Sequence, residues 1–136
     1  MFMHDARARV RYAETDQMGY VYYGRYAELF EVGRVEAMRA LGFPYRALED
    51  AGVMLPVSEL RARYLRPARY DDELIIRTSI PEPPTARIVF RYAVLGADGA
   101  LLCEGETTLV FVDRATMRPR RAPRDLAAAL APYFGR

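Results

Sequence analysis

The sequence contains no lysine, no asparagine and no tryptophan, and only one cysteine, one histidine and one glutamine. Each shortage excludes something. A lone Cys103 cannot form an internal disulfide. With His4 as the only imidazole, the chain lacks the ligand set of a zinc site and the pair needed for a Cys–His nucleophile. No window approaches eighteen uninterrupted apolar residues, so no membrane-spanning helix is expected. The opening MFMHDARARV sets an acid and two arginines where a signal peptide needs an apolar core, so export is not expected and the chain reads as cytoplasmic. There is no glycine-rich phosphate loop. The formal charge of +2 gives no general case for nucleic-acid binding. All twenty basic residues are arginine, which a GC-rich genome accounts for as well as heat adaptation does, while the near absence of side-chain amides points to a heat-adapted, thermophilic source.

What is present suits one domain spanning residues 1–136, long enough to bury a core. Residues 8–12 alternate loosely as a first strand. Residues 26–41 carry Tyr26, Leu29, Phe30, Gly33, Ala37 and Leu41 on one helical stripe. Glu31 and Arg34, three apart, are expected to pair on the outer side. Gly42 and Pro44 then stop the helix, one by accepting a left-handed cap and the other by barring resumption. A short helical or irregular piece at 46–51 precedes a strand at 60–65 that Pro67 interrupts. Further strands follow at 74–80, 87–95 and 101–112, with Asp98-Gly99 as a hairpin signal, and residues 125–134 read as a closing helix. One long helix against an antiparallel sheet is an α+β design. A single helix covers only one sheet face, so the other is expected to meet a second copy.

The most informative stretch is YAETDQMGYVYYGRY, residues 12–26. Asp16 is an isolated acid, Gly19 supplies a turn, and an aromatic run leads into the helix. No Ser, Thr, Asp or Asn stands just before Tyr26, so the first N–H groups of the helix lack a local cap and can meet a ligand oxygen. A carboxylate beside such donors can act on an acyl carbonyl; an aspartate before a glycine can equally be only a turn-former. Tyr20, Tyr22 and Tyr23 read as packing aromatics, Glu14 as a solvated strand residue, and His4 as a surface residue near a loose terminus. Cys103 reads as a small buried hydrophobe.

Residues 12–26 resemble the signature of the hot-dog fold thioesterases of the 4-hydroxybenzoyl-CoA thioesterase family: an acid in "TD", then a glycine, two aliphatic or aromatic residues, and a tyrosine in the following helix. Residues 64–74, YLRPARYDDEL, resemble that family's strand-and-turn segment, and residues 110–123 resemble its last strand and C-terminal approach. The resemblance implies a sheet wrapped around one long helix, dimers with continuous sheets that often form tetramers, and an active site at the dimer interface. It implies hydrolysis of an acyl-CoA thioester to free acid and CoA, without metal or cofactor. The family's catalytic acid falls on Asp16, and the backbone N–H that polarises the thioester carbonyl falls on Tyr23. Gly19 lies in the substrate-facing turn. Arg87 and Arg118 fall in regions where the family places basic residues for the nucleotide, and planar guanidinium groups suit its phosphates.

An aspartate is ionised at neutral pH unaided, its reference pKa being about 3.9. Asp16 can therefore attack the carbonyl directly or orient a water as general base, and the helix start can hold the oxyanion. Acyl-carrier-protein thioesters are open as substrates alongside acyl-CoA. The rival reading is a non-catalytic acyl-CoA sensor of the same fold; the acid at Asp16 and the lack of a DNA-binding segment favour the enzyme. Hot-dog dehydratases generally pair a histidine with an acid, and no histidine follows Asp16.

Overall fold

A computed structural model describes residues 1–135. Five antiparallel strands form the main sheet: β1 (Phe2–Arg9), β3 (Val57–Tyr64), β4 (Glu73–Ile80), β5 (Arg87–Leu95) and β6 (Leu101–Val110), in spatial order β1-β4-β5-β6-β3. A second, two-stranded sheet pairs β2 (Val53–Met54) with β7 (Val112–Asp113). The long helix α1 (Tyr26–Leu41) packs chiefly over β1 and β4. Two short helices complete the chain, α2 (Tyr45–Asp50) and α3 (Arg124–Leu130), the latter extended by a 3-10 turn at Ala131–Phe134. A sheet curled around one helix is what the hot-dog resemblance implies.

α1 begins and ends where its residues dictate. Gly42 takes φ +98° and returns its N–H to Arg39 O, while Pro44 has extended backbone at the start of α2. Leu29, Phe30, Ala37 and Met38 are buried against the alternate inward residues of β4 and β5, among them Leu74, Ile76, Ile88, Phe90 and Val94. Full burial of each large apolar side chain contributes about 1.5–3 kcal/mol before conformational entropy opposes it.

The structure corrects several sequence expectations. The first strand is Phe2–Arg9 rather than 8–12, and Tyr12–Glu14 is a 3-10 turn. His4 is thus in β1, half-buried, opposite Thr78, and its Nδ1 is buried without a hydrogen-bond partner among the described residues. β6 stops at Val110, because Val112 and Asp113 leave the main sheet to pair with β2. Arg34 does not face outward to Glu31. It follows Tyr26 and Phe30 at four-residue spacing on the inner stripe, is only 8% exposed, and meets Tyr45 and Tyr92 instead.

The outer face of the sheet also differs from the surface expected to need covering. Asp5 and Arg77 form a two-pronged pair at 2.9 and 3.0 Å. Glu106 joins Arg61 and, at 3.1 Å, Arg91; Glu104 lies 3.6 Å from Arg63. Such a face is content in water, so it supplies no hydrophobic drive for association. Exposed apolar side chains are grouped on the edge strand β3 and just beyond it, at Val57 (44%), Leu60 (44%), Tyr64 (51%) and Leu65 (45%), with others elsewhere, among them Met3 (52%) on the outer side of β1.

Candidate active site

The segment between β1 and α1 folds back on itself. Asp16 N–H donates to Tyr20 O at 2.8 Å, and Gly19 N–H donates to Asp16 O at 3.0 Å. This is a short turn closed by a residue with positive φ, and Gly19, at φ +82°, supplies it. The returning strand is anchored by Val21 N–H to Ala68 O at 2.8 Å and by Tyr22 N–H to Glu14 O at 2.9 Å. Gly19 therefore acts through the shape of the turn.

The turn fixes the Asp16 carboxylate. Its Oδ1 accepts the N–H groups of Met18 at 2.9 Å and Tyr20 at 3.3 Å, while Oδ2 has no hydrogen-bond partner among the described residues. Asp16 is a turn-former with one oxygen and available for chemistry with the other. The two sequence readings are compatible.

Seven residues on, a 3-10 turn at Tyr23–Arg25 leads into α1, with no side chain capping either start. Arg25 N–H returns to Tyr22 O at 2.8 Å, but the N–H groups of Tyr23 and Gly24 find no acceptor among the described residues. Asp16 and Tyr23 line one cleft of about 360 Å³. Its other walls come from Met18, Tyr20 and Val21 of the turn, Tyr26 of α1, and residues 64–67 at and after the end of β3.

The cleft is mainly aromatic. Tyr64 stands edge-on to both Tyr23 and Tyr26, with centroids 6.1 and 5.4 Å apart. Burial pushes the Tyr26 phenol up to about 12, with Cys103 and Tyr64 adding to the shift; burial also raises Tyr64. These hydroxyls stay protonated near neutrality and can donate but not act as bases. Among the described residues, Asp16 is the only carboxylate that lines the cleft. No group of three or more His, Cys, Asp or Glu side chains is placed to hold a metal ion among the described residues. Burial also pushes the Cys103 thiol up to about 12, which removes it as a nucleophile.

Arg87 and Arg118 are not brought to this cleft within one chain. Arg87 begins β5 opposite Val110, and Arg118 O accepts Asp113 N–H just past β6. Both lie at the Val57 end of β3, whereas the cleft opens at its Tyr64 end, roughly 20 Å away along the strand. Sequence reasoning missed Tyr26 and Tyr64 as walls, since neither carries a chemical signature beyond being aromatic. It also missed the unpaired Gly24 N–H, which the uncapped helix start could have suggested.

Comparison with known proteins bears on this arrangement. The pattern of the thioesterase-like superfamily matches residues 10–130. The chain is 36% identical over 120 residues to the acyl-CoA thioester hydrolase YbgC of Escherichia coli, covering 88% of this chain and 90% of that one. Among solved structures it superposes on a DHNA-CoA thioesterase from Staphylococcus aureus with a TM-score of 0.93 at 31% identity, covering 98% and 92% of the two chains. A hypothetical protein from Thermus thermophilus gives a TM-score of 0.88 at 38% identity, covering 94% and 97%. With the match spanning both the Asp16 turn and the strands behind it, this chain belongs to the thioesterase-like superfamily.

Proposed function

We propose that this chain hydrolyses acyl-CoA thioesters, with Asp16 as nucleophile or general base and the Tyr23 N–H as oxyanion donor. The observation that carries the reading is the pairing, in one cleft, of a carboxylate whose Oδ2 is unengaged with an N–H that lacks an acceptor. In the nucleophilic course, Oδ2 bonds to the carbonyl carbon, the C–S bond breaks and CoA leaves as the thiolate. Water then opens the mixed anhydride, returning the carboxylate and the free acid. In the general-base course, Oδ2 takes a proton from the attacking water. Either way, negative charge grows on the carbonyl oxygen, and a fixed N–H donor there contributes about 3–4 kcal/mol in comparable sites. Relatives named as acyl-CoA thioester hydrolases support this reading.

A second copy completes the site in this reading. β3 is an edge strand whose outer backbone groups are unpaired. Two copies joined antiparallel along β3 set the Val57 end of one beside the Tyr64 end of the other. Arg87 and Arg118 of one copy then approach the Asp16 cleft of its neighbour, where they can meet the nucleotide of CoA. Assembly is at least a dimer, and a tetramer follows if two dimers stack. The ion-paired sheet face and the near absence of side-chain amides favour a heat-adapted protein.

The test is thiol release, followed spectrophotometrically over aromatic, short and long acyl-CoAs. Turnover with at least one of them is expected. Tight acyl-CoA binding without hydrolysis of any would instead establish the sensor reading.

A further inference from the structure

Around the mouth of the cleft, most guanidinium groups are already engaged. Arg7 pairs with Glu73, Arg9 with Asp71 and Glu73, Arg11 with Glu14, Arg25 with Glu28 and Arg63 with Glu104. Arg66 and Arg69 differ: neither has a carboxylate within ion-pair distance among the described residues. The Arg66 backbone and the Arg69 guanidinium are nonetheless fixed. The backbone N–H groups of Leu65 and Arg66 both donate to Leu102 O, at 2.8 and 3.0 Å. The Arg69 guanidinium sits 5.3 Å from the centroid of the Tyr20 ring, which is itself a wall of the cleft.

A second cleft, of about 430 Å³, adjoins the first, and Arg66 and Pro67 belong to the walls of both. Arg69 lies in this second cleft beside three acids. Each acid is already committed. Asp72 Oδ2 accepts Arg69 N–H at 2.9 Å, Glu73 pairs with Arg7 and Arg9, and Asp98 Oδ1 accepts Ala100 N–H at 3.0 Å. The second cleft therefore offers two cations without an ion-pair partner among the described residues, beside carboxylates that each have other donors, directly beyond a site that holds a carboxylate and an acceptor-free N–H.

We propose that Arg66 and Arg69 bind the phosphate at the end of the thioester's pantetheine arm, an inference that rests on the thioesterase reading of the Asp16 cleft. A thioester held at Asp16 must send its sulfur-side arm out of that cleft. The adjoining cleft past Pro67 is a path for it, and a phosphate is the anion that two forked guanidinium groups hold well. CoA and acyl-carrier proteins both carry this phosphate on pantetheine, so the chemistry is shared between the two sources. Within one chain Arg87 and Arg118 stand at the other end of the sheet, so Arg66 and Arg69 are the arginines that the same chain brings to this path.

The experiment compares one acyl group presented on pantetheine, on CoA and on a carrier protein, using wild type and the double variant Arg66→Gln/Arg69→Gln. The ratio of kcat/KM for the phosphate-bearing substrate to that for the pantetheine thioester is expected to fall about tenfold or more, the factor equivalent to one lost charge-assisted hydrogen bond. Arg66→Lys/Arg69→Lys should recover part of it. A fall with CoA alone, with the carrier thioester alone or with both supports the site and says which source uses it. An unchanged ratio overturns it. Calorimetric titration with CoA is independent of turnover: binding should weaken about tenfold in the double variant and with added salt in the wild type. If the wild type hydrolyses none of the thioesters yet binds CoA through these arginines, the hydrolase reading fails and the phosphate site stands. If CoA binding is indifferent to the substitutions, the phosphate site fails whatever the activity.

Discussion

The Phe30 ring lies flat against the Tyr92 ring, centroids 4.5 Å apart and 7° from parallel, and sits directly on the backbone of Gly105. This contact locks α1 to the centre of the sheet, and α1 in turn carries the helix start that lines the cleft. A Cβ at Gly105 would collide with the Phe30 ring edge and approach Arg61 O to 2.9 Å. Gly105→Ala is therefore expected to destabilise the fold by about 1–3 kcal/mol through overpacking. Thermal melting should drop by at least about 3 °C. An unchanged melting temperature would mean that Phe30 can leave the stack freely.

Arg34 is the other unexpected feature of this interface. Its Nε, the Tyr45 hydroxyl, the Thr78 Oγ1 and the His4 Nδ1 are buried without hydrogen-bond partners among the described residues. Burial pushes the Tyr45 phenol up to about 12 against the pull of Arg34. A buried cation with no carboxylate loses hydration without full return. Arg34→Met keeps the stem volume and removes the charge, so melting should stay level or rise. A fall of several degrees would show that the guanidinium is satisfied in solution by water or by a second chain.

How far the sequence alone reaches is clear from these residues. The ends of α1 were legible because Gly42 and Pro44 act locally, and β5 because its alternation is undisturbed. A turn and an uncapped helix start adjacent in the chain were enough to bring Asp16 near the first N–H groups of the helix, whereas Tyr23 was singled out only by the family resemblance. Arg34 was misplaced because its charge was weighed above its four-residue spacing from Phe30. The β2–β7 pair could not be read, since two-residue strands have no period. Tyr64 joins the cleft by chain reversal over some forty residues, which no local pattern encodes.

The outer-face ion pairs predict an acid limit. Hydrogen bonds from Arg61 and then Arg91 hold the Glu106 carboxyl below its ordinary value of 4.5, and Arg77 does the same for Asp5. A depressed folded value stabilises the fold fully above the unfolded value and is lost as pH falls through the folded one. Glu106→Gln should therefore lower stability by no more than about 1 kcal/mol near pH 7, because its partners are exposed. The difference from wild type should vanish at the acid end of a pH series of denaturant melts. A difference that persists there would assign the effect to packing.

In the proposed assembly, two copies join along the β3 edge rather than across the open sheet face. Light scattering of the wild type should give two or four chains of 15.5 kDa. Leu60→Glu places a charge on the exposed apolar stretch of β3 and should shift the species toward the monomer, with activity falling in parallel. A stable, fully active monomer would remove the shared-site argument.

The sharpest prediction concerns Asp16. Asparagine retains Oδ1, so the Met18 and Tyr20 N–H groups keep their acceptor and the turn should hold. What disappears is the charge on the second position, the Oδ2 that has no partner and would attack the carbonyl or accept water's proton. Asp16→Asn should thus leave melting and binding of a non-hydrolysable acyl-CoA analogue nearly unchanged. Its kcat should fall at least about a hundredfold, the low end for losing a positioned acid–base group, and further if Asp16 is the nucleophile. Among the described residues no other carboxylate lines the cleft, and burial keeps the Tyr26 and Tyr64 phenols protonated near neutrality, so neither can replace it. Hydroxylamine separates the two courses by what it leaves on the protein, since a hydroxamate at Asp16 itself requires a mixed anhydride there, whereas free acyl hydroxamate also forms from the thioester directly. Wild-type turnover in the variant would reduce Asp16 to a turn residue and return the chemistry to an unassigned group.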